Sequence, residues 1–219
     1  MSALPDKVSE STVRRLSLYC RALEELEAEG TETVPSRALA ERAGTTAAQV
    51  RKDLSLFGSF GKRGLGYAVP PLARRLRRIL GLDRTWRVGL IGVGRLGAAL
   101  FAYPHFRERG FQIVAAFDSD PEKVGREWNG VTIRDASALE DGLRSEEVEI
   151  AIVAVPAGGA RDVARSIAAA GVRGVLNFAP VRLPVPEGVV VNDVNMAVEL
   201  ESLSFALRTG IERTIEEDE

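Results

Sequence analysis

Three glycines can do chemistry here without a reactive side chain among them. They stand at Gly92-x-Gly94-x-x-Gly97, directly after the apolar stub Leu90–Ile91 and ahead of a helix-like run. A strand, this glycine spacing and a helix form a turn that can cradle a pyrophosphate. Gly92 permits the tight turn, Gly94 lets backbone approach the phosphates, and Gly97 lets the helix pack close to the strand. The helix start supplies N–H groups and the positive end of a dipole. A second apolar run, FQIVAAFD, ends at Asp118, 21 residues past the third glycine. A carboxylate there accepts both ribose hydroxyls of an adenosine and repels a 2′-phosphate, so NAD(H) is favoured over NADP(H).

The second candidate chemistry is electrostatic. The net charge of −2 hides an asymmetry: from Arg37 to Arg78 there are ten basic residues and only two acids, Glu41 and Asp53. Such a segment attracts a polyanion, although a solvated basic face has the same composition. Inside it, GSFGKRGLGY places Lys62-Arg63 between glycines at 61 and 64. Glycines bracketing a basic dipeptide predict a two-stranded hairpin with charge at its tip.

The elements that must position these groups follow from apolar spacing. Ser11 to Glu29 reads as a helix with Val13, Leu16, Cys20, Leu23 and Leu26 on one face. Pro35 to Ala43 is a short helix stopped by Gly44, and Ala47 to Phe57 is a third behind Thr45 or Thr46 as N-cap. Helix, glycine turn, helix is the helix-turn-helix pattern. On the third helix Ala47, Val50, Leu54 and Phe57 form the inner stripe. The opposite face carries Ala48, Lys52 and Ser55, with Arg51 beside them; small residues and cations suit a helix pressed into a major groove. The hairpin straight after such a helix is a wing that reaches an adjacent minor groove. The candidate DNA-contacting residues are Thr46, Ala48, Gln49, Arg51, Lys52, Ser55, Lys62 and Arg63. PPLARRLRRILGLD is one more helix, with Leu72, Leu76, Ile79 and Leu80 inward.

Beyond the glycine turn, a helix is expected to about Phe106, and strands at Glu149–Val155, Gly174–Phe178 and Val189–Val191. Continuous apolar runs of this kind suit a parallel sheet covered on both faces. The fold class is therefore an α/β Rossmann-type dinucleotide-binding domain, preceded by an α+β winged-helix domain and followed by a C-terminal helix. The expected boundaries are 1–80, 85–195 and 196–213. VPAGG and NFAPV sit at strand carboxyl ends, where ligands bind in such sheets. Candidate cofactor residues are thus Gly92, Val93, Gly94, Arg95, Leu96 and Gly97 in the turn, Asp118, and Val155, Pro156, Asn177 and Phe178. In the last helix Met196, Leu200, Leu203 and Leu207 share a face, which packs either on its own domain or on a partner subunit.

Composition narrows the classes. One cysteine excludes a disulfide framework and a cysteine zinc site within one chain. Cys20 lies on an apolar stripe and reads as a buried thiol rather than a redox switch. No run of about 18 apolar residues offers a membrane span, and the N-terminus lacks an apolar signal core, so a cytoplasmic protein is expected. The rival reading is an NAD-dependent oxidoreductase with an accessory basic domain. Hydride transfer to a carbonyl needs a proton donor, usually His, Lys or Tyr. From residue 85 onward there is one histidine, His105, and one lysine, Lys123. Lys123 stands at the adenosine end, and Tyr103 has no lysine near it in sequence. Binding without turnover, and without metal, is the expectation.

QVRKDLSLFGSFGKRGLGY (49–67), GVGRLG (92–97), FDSDPEKVG (117–125) and VLNFAPV (175–181) closely resemble the Rex family of bacterial redox-sensing transcriptional repressors, over almost the whole chain. The resemblance implies a homodimer on double-stranded operator DNA with an inverted repeat. NADH lowers its affinity for the operator and NAD+ competes, which derepresses genes of NADH reoxidation and of fermentative or respiratory metabolism. It implies further that Arg51 and Lys52 belong to the recognition helix and Lys62-Arg63 to the wing. Gly92 to Gly97 and Asp118 would hold the cofactor, Tyr103 would lie near the nicotinamide, and the last helix would swap onto the other subunit. One departure stands out. The family places an acid just before that helix, to pair with an arginine of the first helix or bond the tyrosine. The matching arginine and tyrosine are Arg21 and Tyr103, but the acidic position here is Asn195, followed by Met196. Asparagine can still hydrogen-bond the tyrosine and cannot form the ion pair; Asp193 and Glu199 are the nearby acids.

Overall fold

A computed structural model describes residues 8–62 and 64–210. The chain divides between Arg84 and Thr85 into two compact units.

The first unit is built on α1 (Glu10–Ala28), α2 (Ser36–Ala43) and α3 (Ala47–Ser55). The α1 helix starts behind Ser9, whose side chain accepts from the Thr12 N–H, an ordinary N-cap. The turn between α2 and α3 passes through Gly44 at φ +69°, a left-handed position that ends α2. Thr46 then caps α3 by accepting from the Gln49 N–H at 3.1 Å. The α3 helix ends two residues before its expected limit, and Leu56 and Phe57 close it with short-range bonds to Asp53 and Leu54.

The expected two-stranded hairpin is a three-stranded antiparallel sheet. Its strands β1 (Thr33–Val34), β2 (Gly61–Lys62) and β3 (Gly66–Ala68) lie in the order β1-β3-β2. The contact of β1 with β3 requires Gly66: at φ +93° its Cβ would run into the Val34 carbonyl. The α4 helix (Val69–Ile79) follows and buries Leu72, Ala73 and Leu76 in the same core as Leu16, Tyr19 and Leu23 of α1. Cys20 is wholly buried there.

The second unit is a seven-stranded sheet. Its strands are β4 (Trp86–Ile91), β5 (Phe111–Asp118), β6 (Glu127–Trp128), β7 (Val131–Asp135), β8 (Ile150–Val153), β9 (Gly174–Asn177) and β10 (Val190–Asp193). The order is β10-β9-β8-β4-β5-β7-β6, parallel except for β6. The chain builds one half outward from β4, then returns beside β4 to build the other from β8. That reversal leaves a crevice at the carboxyl ends of β4 and β8. Val88 to Ile91 and Ala151 to Val153 are all buried, as strands covered on both faces must be. The helices are α5 (Arg95–Phe101), α6 (Pro104–Glu108), α7 (Leu139–Ser145), α8 (Ala157–Ala169) and α9 (Met196–Thr209).

The helix expected to reach Phe106 breaks instead at Tyr103, which adopts φ −75°, ψ 107°. Pro104 is the cause, because proline disfavours the helical conformation in the residue before it and has no N–H to continue the ladder. The α9 helix buries none of its residues. Met196, Val198, Leu200, Leu203, Phe205 and Leu207 are all exposed, so among the described residues these apolar side chains are left uncovered.

Candidate functional site

The cleft at the head of β4 is shaped by the three glycines, each for a different reason. Gly92 takes φ +91°, and a Cβ there would lie 2.5 Å from the Ala154 carbonyl oxygen at the end of β8. A Cβ on Gly97 would strike the Gly92 carbonyl, while one on Gly94 meets nothing within 4 Å. The first and third glycines therefore close the turn, and the middle one opens it. No side chain caps α5 behind Gly94, so the first N–H groups of that helix are left for a ligand.

Asp118 closes the far end. Its Oδ2 accepts from the Val93 N–H at 2.7 Å and from Lys123 Nζ at 3.2 Å, and its Oδ1 accepts from the Asp120 N–H at 2.9 Å. Burial pushes the carboxyl up, but these donors outweigh it and hold Asp118 below the ordinary carboxylate range. Oδ1, with a single donor, keeps room for a hydroxyl. Lys123 also pairs with Asp120 at 3.3 Å, and its ammonium is held above its usual value against the opposing effect of burial.

The cavity enclosed is 790 Å³, enough for a dinucleotide's adenosine and pyrophosphate. Of the sequence candidates, Gly92, Gly94, Arg95, Leu96, Asp118, Val155, Pro156 and Phe178 line it. Val93 is buried and serves through its N–H, and Gly97 lies beneath the turn. Tyr103 is 49% exposed and packs edge-on against His105 and Phe106. Asn177 is placed elsewhere. It is 1% exposed, its Nδ2 donates to the Val181 carbonyl and to Asp193, and its Oδ1 accepts from the Ala179 N–H. That ties the loop after β9 to β10. Sequence reasoning put Lys123 at the adenosine end but missed Asp120 as a cleft residue; the run DSDPEK, with three acids at alternate positions before a lysine, carried the signal.

In the first unit, Ala48, Arg51, Lys52 and Ser55 are exposed along α3, and Lys62 is exposed on β2. Arg51 donates to Ser36 Oγ at 3.0 Å, and Ser55 donates to the Lys52 carbonyl. Thr46 is occupied as the N-cap. Arg63 lies outside the described residues. The α3 helix also holds a group that the sequence reading passed over. Asp53 is 1% exposed, and a bidentate pair binds it to Arg15 of α1 at 2.7 and 3.0 Å. Tyr19 donates to it at 2.8 Å and Gln49 Nε2 at 2.7 Å. Burial raises the Asp53 carboxyl, but Arg15, Tyr19 and Gln49 together bring it below the ordinary range. The signal was available: residue 53 falls between Val50 and Leu54 on the inner stripe.

Arg21 is exposed on α1. Asn195 caps α9, its Oδ1 accepting from the Ala197 N–H at 3.0 Å. Among the described residues no group of three His, Cys, Asp or Glu could hold a metal ion, and no helix is long and apolar enough to cross a membrane.

Residues 7–55 match the family described as "Putative DNA-binding protein N-terminus", and residues 83–181 match "CoA binding domain". A redox-sensing transcriptional repressor Rex of Carboxydothermus hydrogenoformans is 49% identical over 92% of this chain and 97% of its own. One of Thermus thermophilus is 49% identical over 92% and 94%. A crystal structure of RSP, in complex with β-NAD+ and operator DNA, superposes with a TM-score of 0.89 at 36% identity, covering 94% of this chain and 95% of that one. RSP in complex with β-NADH gives 0.84 at 34% identity, covering 94% and 97%.

Proposed function

The chain belongs to the Rex family of redox-sensing transcriptional repressors, and on that premise we propose that it binds operator DNA as a homodimer and releases it when NADH occupies the glycine cleft. One observation carries this reading. A single chain holds both an open pyrophosphate cradle ending in Asp118 and a helix-turn-helix whose outer face presents Arg51 and Lys52.

The backbone from Gly92 to Gly97 holds the pyrophosphate, with Arg95 beside it. Asp118 accepts the adenosine ribose hydroxyls, and Val155, Pro156 and Phe178 flank the bound dinucleotide. Tyr103 lies near the nicotinamide. Arg51 and Lys52 enter the major groove, with Ala48 and Ser55 allowing close approach, while Lys62 and Arg63 reach the minor groove. The α9 helix docks on the second subunit through Met196, Leu200, Leu203 and Leu207, which gives its exposed apolar side chains a partner. Asn195 spends its carbonyl on the α9 cap and keeps Nδ2 to donate to the Tyr103 hydroxyl. The protein works in the cytoplasm and does not turn its cofactor over. Among the described residues, the ionisable side chains lining the cleft are Arg95, Asp118, Asp120, Lys123 and Asp162; the lysine is paired with Asp118 at the adenosine end, and Tyr103 has no lysine near it in sequence.

Two half-sites require two recognition helices at a separation matching the DNA repeat. A ligand that prefers a dimer of different separation lowers affinity without touching DNA, and the coupling must be reciprocal. The test is fluorescence anisotropy of a duplex from the gene's own upstream region, at fixed salt, with NADH, NAD+ or neither. Release by NADH alone supports the reading, together with a loss of NADH affinity by the same factor when operator is present. Equal binding in all three conditions defeats it.

A further inference from the structure

Every donor around Asp53 points at a carboxylate that can only accept. Its two oxygens take four hydrogen bonds: Arg15 Nε and the Tyr19 hydroxyl on Oδ2, Arg15 Nη2 and Gln49 Nε2 on Oδ1. Arg15 is itself held from the other side, donating to Thr12 Oγ1 at 3.2 Å. An ionised carboxylate offers no hydrogen. The Gln49 amide is therefore oriented by its neighbour: nitrogen inward to Asp53, carbonyl outward. Gln49 is the third residue of α3, half-exposed and one helical turn before Lys52.

We propose that Gln49 is a base-reading residue of the operator complex and that Asp53 is the positioning residue that makes it read as an acceptor. This rests on the DNA-binding reading above. An outward carbonyl pairs with major-groove amino donors, which only adenine N6 and cytosine N4 provide; guanine and thymine present acceptors at the corresponding edge. At the base pair that Gln49 meets in each half-site, the contacted strand then prefers adenine or cytosine.

The geometry also dictates what an amide at position 53 would do. In Asp53→Asn either placement of the new NH2 sets it against an Arg15 nitrogen, because Oδ1 and Oδ2 each accept one. The side-chain oxygen can stay with Gln49 or move away from it, so the glutamine amide is no longer held one way round. The preference at that one base pair then weakens. A merely structural role for Asp53 would weaken all sequences alike and could not change the preference at one base pair alone.

The experiment selects duplexes from a library randomised across the half-site and sequences those bound by the full-length protein, wild type, Gln49→Met and Asp53→Asn. Thermal unfolding of each protein is run alongside. The expected result is a wild-type preference of about five- to tenfold at one position, flattened in Gln49→Met and reduced at that same position in Asp53→Asn. Gln49→Met keeps the length and helix propensity of a half-exposed residue, so it remains decisive where Asp53→Asn fails to fold. If the wild type selects a clear operator and Gln49→Met selects the same one with unchanged preference everywhere, Gln49 reads no base and the proposal is wrong. A folded Asp53→Asn with the wild-type preference overturns the role of Asp53. If the wild type selects no sequence at all, the operator reading itself has failed and this inference goes with it.

Discussion

The backbone N–H of Val93, in the middle of the glycine turn, donates to Oδ2 of Asp118 at 2.7 Å across 25 residues of sequence. The group that sets the cradle is thus bonded to the group that selects the ribose. Asp118→Ala should weaken NADH by about ten- to a hundredfold, the range for hydrogen bonds to a charged group. Asp118→Asn should weaken NADH less and narrow its advantage over NADPH, because the repelling charge is gone while Lys123 remains. Fluorescence titration with both nucleotides measures this. Unchanged NADH affinity in Asp118→Ala would remove the carboxylate from the site.

The Arg15–Asp53 pair is buried, and removing one partner strands the other charge. Asp53→Ala should cost about 3–5 kcal/mol, read as a lower urea midpoint for the first unit. The pH dependence has a definite sign. The folded Asp53 carboxyl lies below its ordinary value, so its contribution is fully present above about pH 4. It is lost as pH falls through the lower folded value. Wild type should therefore lose more stability than Asp53→Asn between pH 5 and pH 2, extremes of about one to two units either side of that ordinary value.

Lys62 stands exposed on β2, paired with Gly66 of β3. If the wing rides on phosphates, Lys62→Ala should lower operator affinity and flatten the slope of log affinity against log salt by about one unit. Anisotropy titrations at several salt concentrations give the slope. An identical slope and affinity would take the wing out of the complex.

The α9 helix exposes Leu200 at 67% and Leu207 at 86%. Contiguous apolar side chains of this size mark a surface that another molecule covers. The double variant Leu200→Asp, Leu203→Asp should shift the protein from dimer to monomer in sedimentation analysis, with the glycine cleft still able to bind NADH. A dimer that survives would place the subunit contact elsewhere.

Much of this was legible along the chain because it depends on local spacing. The glycine turn, the carboxylate closing the second strand, the helix-turn-helix and its outward cations are each set by residues within a few turns of one another, and backbone sterics decide them wherever the chain goes. Gly92 and Gly97 carry no side chain because the Ala154 and Gly92 carbonyls already occupy that space. The break at Tyr103 was equally local, written in Pro104.

Tertiary structure decided what depends on a partner far along the sequence. Thr33–Val34 is too short to show any alternation, and becomes a strand only because β3 offers it an edge. Asp53 looked like one of two stray acids until folding brought up Arg15 from 38 residues away. Asn177 stood at a strand end where ligands bind, yet its amide is taken by Asp193 and the Val181 carbonyl. A buried polar group must be matched hydrogen bond for hydrogen bond, and its sequence neighbours do not say which partner will do the matching. The same holds in reverse for α9: its apolar face is plain in the sequence, and only the fold shows that, among the described residues, these side chains stay exposed.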